Sequence, residues 1–148
     1  MDIAAAVRTP APRWEHFDHG ADIGVRGLGP TKAAAFEQAA VALTAVIIDP
    51  DRIEPLERVL ISCEAGDDEQ LLAAWLNAIV CQMAVRRMLF RHYEVELQGG
   101  RLTGMAIGER ISRERHQPAV EVNGATYTTL RVDRTGDGGW QAQTVVHV

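Results

Sequence analysis

The sequence is poor in cysteine, has no long apolar run and carries no excess of positive charge, and each absence removes a class of protein. Two cysteines in 148 residues leave out a disulfide-stapled scaffold. Cys63 and Cys81, flanked by apolar residues in a strand-like and a helix-like run, read as two buried thiols of a reducing compartment. The opening Met1-Asp-Ile-Ala-Ala-Ala-Val-Arg8 has an acid at position 2 and only five consecutive apolar residues, too little for a secretory signal. No stretch is long enough to span a membrane, so a cytoplasmic protein is expected. A formal net charge of -5 argues against strong direct binding to nucleic-acid phosphates, which needs clustered Lys and Arg; a role near RNA would run through a partner protein.

Chemical signatures are missing too. Gly24, Gly27 and Gly29 do not have the spacing of a phosphate-binding loop or a dinucleotide fingerprint, and no Gly-Lys-Ser/Thr follows. Ser62 and Ser112 lack the Gly-flanked turn that exposes a nucleophile. There is no internal repeat and no low-complexity segment.

What remains is the pattern of one domain, long enough to bury roughly 70% of its unfolded surface without a disulfide or metal. Residues 1–12, ending Thr9-Pro-Ala-Pro12, have no apolar period and read as a flexible extension; the domain is residues 13–148. Ile23, Val25 and Gly27 alternate with Gly24, Arg26 and Leu28 as in a strand closed by Gly29-Pro30. Thr31 can cap a helix whose apolar positions run from Ala35 to Ile47, ended by Asp49-Pro50-Asp51. Arg58 to Cys63 is β-branched and strand-like, and Asp67 and Asp68 can start a second helix with Leu71, Leu72, Trp75, Leu76, Ile79, Val80 and Met83 on one stripe. Tyr93 to Leu97 and Leu102 to Ile107 form a hairpin through Gly99-Gly100, Glu121 to Val132 reads as another strand, and Trp140 to Val148 as the last. The fold class is α+β: a two-layer sandwich with two helices on a mixed, largely antiparallel sheet of about six strands.

The densest group of possible metal ligands is Glu15, His16, Asp18, His19 and Asp22, within eight positions. Carboxylates suit calcium or magnesium, and imidazoles shift preference toward zinc or manganese. The same residues can equally be surface charges with a histidine hydrogen-bonded in place. His16-Phe-Asp-His19 is close to the end of a metallo-β-lactamase ligand motif, but Trp14 occupies the position of another histidine and the chain is short for that fold. Arg86-Arg87 reads as a solvated helix end.

The segment Trp14-Glu-His-Phe-Asp-His-Gly-Ala-Asp-Ile-Gly-Val-Arg-Gly27 resembles the opening of archeases, small metal-binding proteins that assist RNA ligases of the RtcB type. The likeness continues in order through the alanine-rich helix opening at Thr31 to Phe36, Asp68-Glu-Gln-Leu-Leu-Ala-Ala-Trp-Leu-Asn77, Gly108-Glu109, His116-Gln-Pro118 and Glu121-Val-Asn-Gly-Ala-Thr-Tyr127. The resemblance implies an accessory protein rather than an enzyme, one that docks on an RtcB-type RNA ligase, promotes its guanylylation and supports repeated turnover in tRNA splicing or RNA repair. It implies a divalent metal, calcium in the family, held by Asp22, the penultimate residue His147 and the terminal Val148. Glu15, Asp18, His19, Glu109 and His116 would orient the ligands or face the partner.

The chain departs from the family pattern where His147 replaces the usual aspartate, so weaker calcium binding and a softer ion are expected. Asn123 and Thr128 stand where lysine and histidine are usual, and Ala84-Val-Arg-Arg87 replaces an acidic loop, which leaves open a diverged paralogue without ligase activation. Two further alternatives are a stand-alone metal-dependent hydrolase using Asp22 and His19 to activate water, and a capping network that joins the two ends of the domain.

Overall fold

Two side chains start the two long helices. Thr31 Oγ1 accepts the backbone N–H of Ala34 at 3.0 Å, and Asp67 Oδ1 accepts that of Gln70 at 2.7 Å. Each cap satisfies a donor that the first turn leaves unpaired. The computed structural model describes residues 10–118 and 120–148. In it α1 spans Lys32–Ile47, α2 spans Asp68–Arg86 and a short α3 spans Arg113–His116. Eight strands accompany them among the described residues: β1 Arg13–His19, β2 Asp22–Gly29, β3 Glu57–Glu64, β4 Met88–Gln98, β5 Arg101–Arg110, β6 Gly124–Ala125, β7 Arg131–Arg134 and β8 Trp140–His147.

The strands form two antiparallel sheets. One has the order β1-β2-β8-β6, with β7 also on β8; the other has the order β3-β5-β4. Tight hairpins set the registers. Gly20, at φ +62, turns β1 into β2 so that His19 pairs with Asp22. Gly99 and Gly100, both at positive φ, turn β4 into β5 so that Gln98 pairs with Arg101. Positive φ at these loops matches the right-handed twist of the strands they join.

Helix α1 lies between the sheets, against β1, β2 and β8 on one side and β4 on the other. It is buried nearly all round, with Phe36, Ala39, Ala40, Ala42 and Leu43 fully enclosed. Thr44 Oγ1 donates to the Phe90 carbonyl at 2.9 Å and lies 2.7 Å from the Tyr93 hydroxyl, so its polar atom is satisfied inside the core. Helix α2 covers the smaller sheet, and its Trp75 indole N–H donates to the Phe36 carbonyl at 3.2 Å. Two α2 side chains also reach the larger sheet: Asn77 Oδ1 accepts the N–H of Ala125, and Glu69 Oε2 accepts that of Val132, each at 2.9 Å.

The α+β architecture agrees with the sequence reading, as do the caps, the Gly99-Gly100 hairpin and the terminal strand. Three particulars differ. The strands divide into two sheets because buried α1 takes one sheet on each side, which a single helix stripe does not foretell. Glu121 to Val132 is not one strand: Thr129 adopts φ 51, and the loop holding Thr126 and Thr128 is fastened to β8 by Thr144 Oγ1, which donates to the Thr126 carbonyl at 2.6 Å. The expectation of two buried thiols also fails, since Cys81 is exposed and Cys63 half-buried, both free; Cys81 lies off the α2 core stripe. Most of the expected extension, residues 1–9, lies outside the described residues, while Pro10 lies against Gly139. No helix among the described residues is long and apolar enough to cross a membrane.

Candidate functional site

One end of the larger sheet gathers residues from distant parts of the chain. The turn at Gly20 delivers Asp22 as the first residue of β2, and His147 is the last residue of β8. Pairing of Ile23 with Val146 puts Asp22 and His147 in the next cross-strand row. His19 pairs with Asp22 from β1, and Gly124 pairs with His147 from β6. Residues directly opposite one another share a sheet face, so His19, Asp22 and His147 lie in one row. Its neighbouring row, Ile23 and Val146, packs on the core, which turns the Asp22 row away from α1.

Asp22 Oδ1 and His147 Nδ1 are 3.0 Å apart. The Asp22 side chain is 29% exposed and that of His147 is 60% exposed, so water and ions reach both. The N–H of Asn123 donates to the His147 carbonyl at 2.8 Å, which fixes the strand end from its other side. Val148 is half-buried and packs on the edge of the core.

Whether this row fits a divalent ion can be tested on its donors. Two ligands at right angles on an octahedral ion with bonds of about 2.1 Å lie about 3 Å apart, and the Asp22 to His147 separation meets that. The side-chain set is thin, however, since no group of three His, Cys, Asp or Glu side chains that could hold a metal occurs among the described residues. Asp22 and His147 thus supply two side-chain donors, not a cage of six to eight protein oxygens.

The other candidates are placed elsewhere or differently. Glu15 shares the Asp22 face, four residues along β2 in register, where it pairs with Arg26 at 2.6 Å and Arg13 at 2.9 Å. The Arg26 hydrogen bond holds its carboxyl below the ordinary range, against the opposing effect of burial. Arg26 also donates to Gln143 Oε1 at 2.9 Å and lies over the Phe17 ring, 4.7 Å from its centre. His16 is exposed, but its Nε2 lies 2.7 Å from the Ala42 carbonyl, a histidine held by a hydrogen bond and not a free ligand. Asp18, paired with Ile23, occupies the opposite face from Asp22.

Glu109 and His116 belong to a separate buried network at the end of the smaller sheet. Ser112 N–H donates to His116 Nδ1 at 2.8 Å, which leaves Nε2–H to donate to Glu109 Oε2 at 3.0 Å. Glu109 also accepts the Glu54 N–H at 2.7 Å and a hydrogen bond from Arg115. These donors, Arg115 above all, overcome desolvation and hold the Glu109 carboxyl down at about 2. The network ties α3 and the loop before β3 to the end of β5. Sequence reasoning passed over Arg26 and Gln143, whose signal was the period-two alternation that sets them on one face.

Residues 14–148 match the model of the archease protein family. The chain is 36% identical to protein archease of Pyrococcus abyssi over 137 residues, covering 90% of this chain and 96% of that protein. It is 39% identical to protein archease of Methanopyrus kandleri, covering 90% and 97%. The solution structure of Methanobacterium thermoautotrophicum protein 1598 superposes with a TM-score of 0.74 at 26% identity, covering 91% of this chain and 98% of that one. A likeness that runs through the whole described domain, in sequence and in fold, places the chain in the archease family.

Proposed function

We propose that this chain is a metal-binding accessory protein of an RtcB-type RNA ligase, promoting guanylylation of the ligase and its repeated turnover in tRNA splicing or RNA repair. The observation that carries the reading is the pairing of Asp22 with His147 at 3.0 Å on an accessible sheet end, in a chain of the archease family. Asp22, the His147 ring and the oxygens of Val148 would hold a divalent ion, which when bound supplies positive charge opposite phosphate oxygens. Asp22 contributes the carboxylate, and the exposed His147 ring offers a nitrogen donor at the surface. Backbone pairing of β2 with β8 and of Asn123 with His147 holds both in place without a lid, so that a docked partner can approach them directly.

The test incubates purified protein with a cognate RtcB-type ligase, GTP and a divalent metal, and follows transfer of guanosine monophosphate to the ligase. Wild type should accelerate the transfer, and Asp22→Ala should abolish the acceleration while circular dichroism shows an unchanged fold. Turnover of phosphoester substrates by the protein and metal alone would point to a stand-alone hydrolase instead.

A structural reading draws on the same contact, because Asp22 and His147 satisfy each other directly and pin the start of β2 to the end of β8. It requires that Asp22→Ala lower the melting temperature equally with and without metal and leave guanylylation untouched.

A further inference from the structure

A groove of about 430 Å³ opens between the C-terminal end of α2, the start of β4 and the segment around α3. Its walls are mostly aliphatic or thioether, with Ile47, Val80, Met83, Leu89, Ile111 and Val122 among them, and no aromatic residue among the described residues lines it. Ile111 and Val120 remain 40% exposed, an apolar surface that water covers only at a cost.

One arginine lines it and three more stand within two residues of lining positions. Arg113 lines the groove; Arg86 and Arg87 follow the lining residue Ala84, and Arg110 precedes Ile111. The two segments are drawn together by the Ile111 N–H, which donates to the Arg87 carbonyl at 2.9 Å, and by the pairing of Met88 with Arg110. All four arginines are exposed, and none forms an ion pair among the described residues. Glu121 is the one carboxylate lining the groove, and nearby Glu109 is already engaged by Arg115. In a protein of net charge -5, the two segments that frame the groove thus carry four exposed arginines, against Glu121 in the lining and Glu114 beside Arg113. The groove also adjoins the candidate metal end, since Val122 precedes Asn123, whose N–H holds the His147 carbonyl.

We infer that the groove docks a segment of a partner protein whose aliphatic side chains are flanked by aspartate or glutamate. The partner is the ligase, so this inference rests on the function proposed above and names the surface through which it is exercised. An apolar lining desolvates aliphatic anchors, and the arginine rim steers and aligns the flanking carboxylates. RNA fits less well, because single-stranded bases are bound by stacking on aromatic side chains, which this lining lacks.

The test measures binding of the purified protein to the cognate ligase by biolayer interferometry, using wild type, the double variant Arg86→Glu/Arg113→Glu, Ile111→Asn, and a control, Arg58→Glu, on the smaller sheet. Both groove variants should weaken binding about tenfold or more, and the wild-type affinity should fall with added salt. The control should stay within about twofold of wild type. If the double charge reversal does not fold, Arg86→Gln/Arg113→Gln takes its place with an expected loss of about threefold. Undiminished binding by folded groove variants would overturn the groove while leaving the ligase reading intact, whereas a wild type that does not bind the ligase would overturn both. Loss of affinity for a single-stranded RNA oligonucleotide in the arginine variants, with ligase binding unchanged, would assign the rim to RNA and also overturn the inference.

Discussion

His147 stands where the archease resemblance leads one to look for aspartate, and the exchange removes a carboxylate and adds an imidazole. Hard calcium prefers oxygen donors, so calorimetry should show His147→Asp binding calcium at least several-fold more tightly than wild type, a change that ligand charge of this kind produces in calcium sites. Glu109 has a different part to play. Its folded carboxyl sits at about 2 against an ordinary value of 4.5, so it binds fewer protons folded than unfolded. The stability this contributes is fully present above about pH 4.5 and is lost as pH falls toward 2. Glu109→Gln should lower stability by about 2 kcal/mol at neutral pH, through loss of charged hydrogen bonds at a buried position. It should also flatten the acid limb of the curve between those two values, read from urea titrations at a series of pH values.

Among the elements, β2 joins the candidate site at one end to the close approach of α1 at the other. A Cβ on Gly27 would lie 2.1 Å from the Ala35 carbonyl oxygen and 2.2 Å from the Ala39 nitrogen, backbone atoms that cannot swing aside. Gly27→Ala should therefore cost about 2–3 kcal/mol in chemical denaturation, since α1 must be pushed off the sheet. The helices were readable from the sequence because their signals are local: a capping side chain, an apolar stripe, a Pro-containing stop. The break between β6 and β7 was not, because it depends on Thr144 and Gln143 of β8 anchoring the carbonyls of Thr126 and Thr129. Those partners lie 14 and 18 residues away, beyond any window of local periodicity.

At the scale of the molecule, both sheets share one core through α1 and the bond from Trp75 to Phe36. Loss of either sheet would uncover one side of the buried α1, so unfolding should be a single cooperative transition. Far-ultraviolet circular dichroism and tryptophan fluorescence, which draws on Trp75 beneath the smaller sheet and on Trp14 and Trp140 of the larger, should give coincident denaturation midpoints. Separate midpoints would mean that the two sheets are energetically independent.

The family and the α+β class could be read from residues in their order, since both rest on motifs and spacings carried along the chain; how Glu15, His16 and Asp18 lie relative to Asp22 could not, because strand pairing sets it. The proximity of Asp22 to His147 could be inferred only through family resemblance, and the antiparallel register of β2 on β8 supplies its physical cause. The removal of Glu109 and His116 into a network of their own, and the collection of Arg86, Arg87, Arg110 and Arg113 beside an apolar groove, were decided by tertiary structure alone. Both depend on pairing and packing between segments far apart in sequence, which no local periodicity encodes.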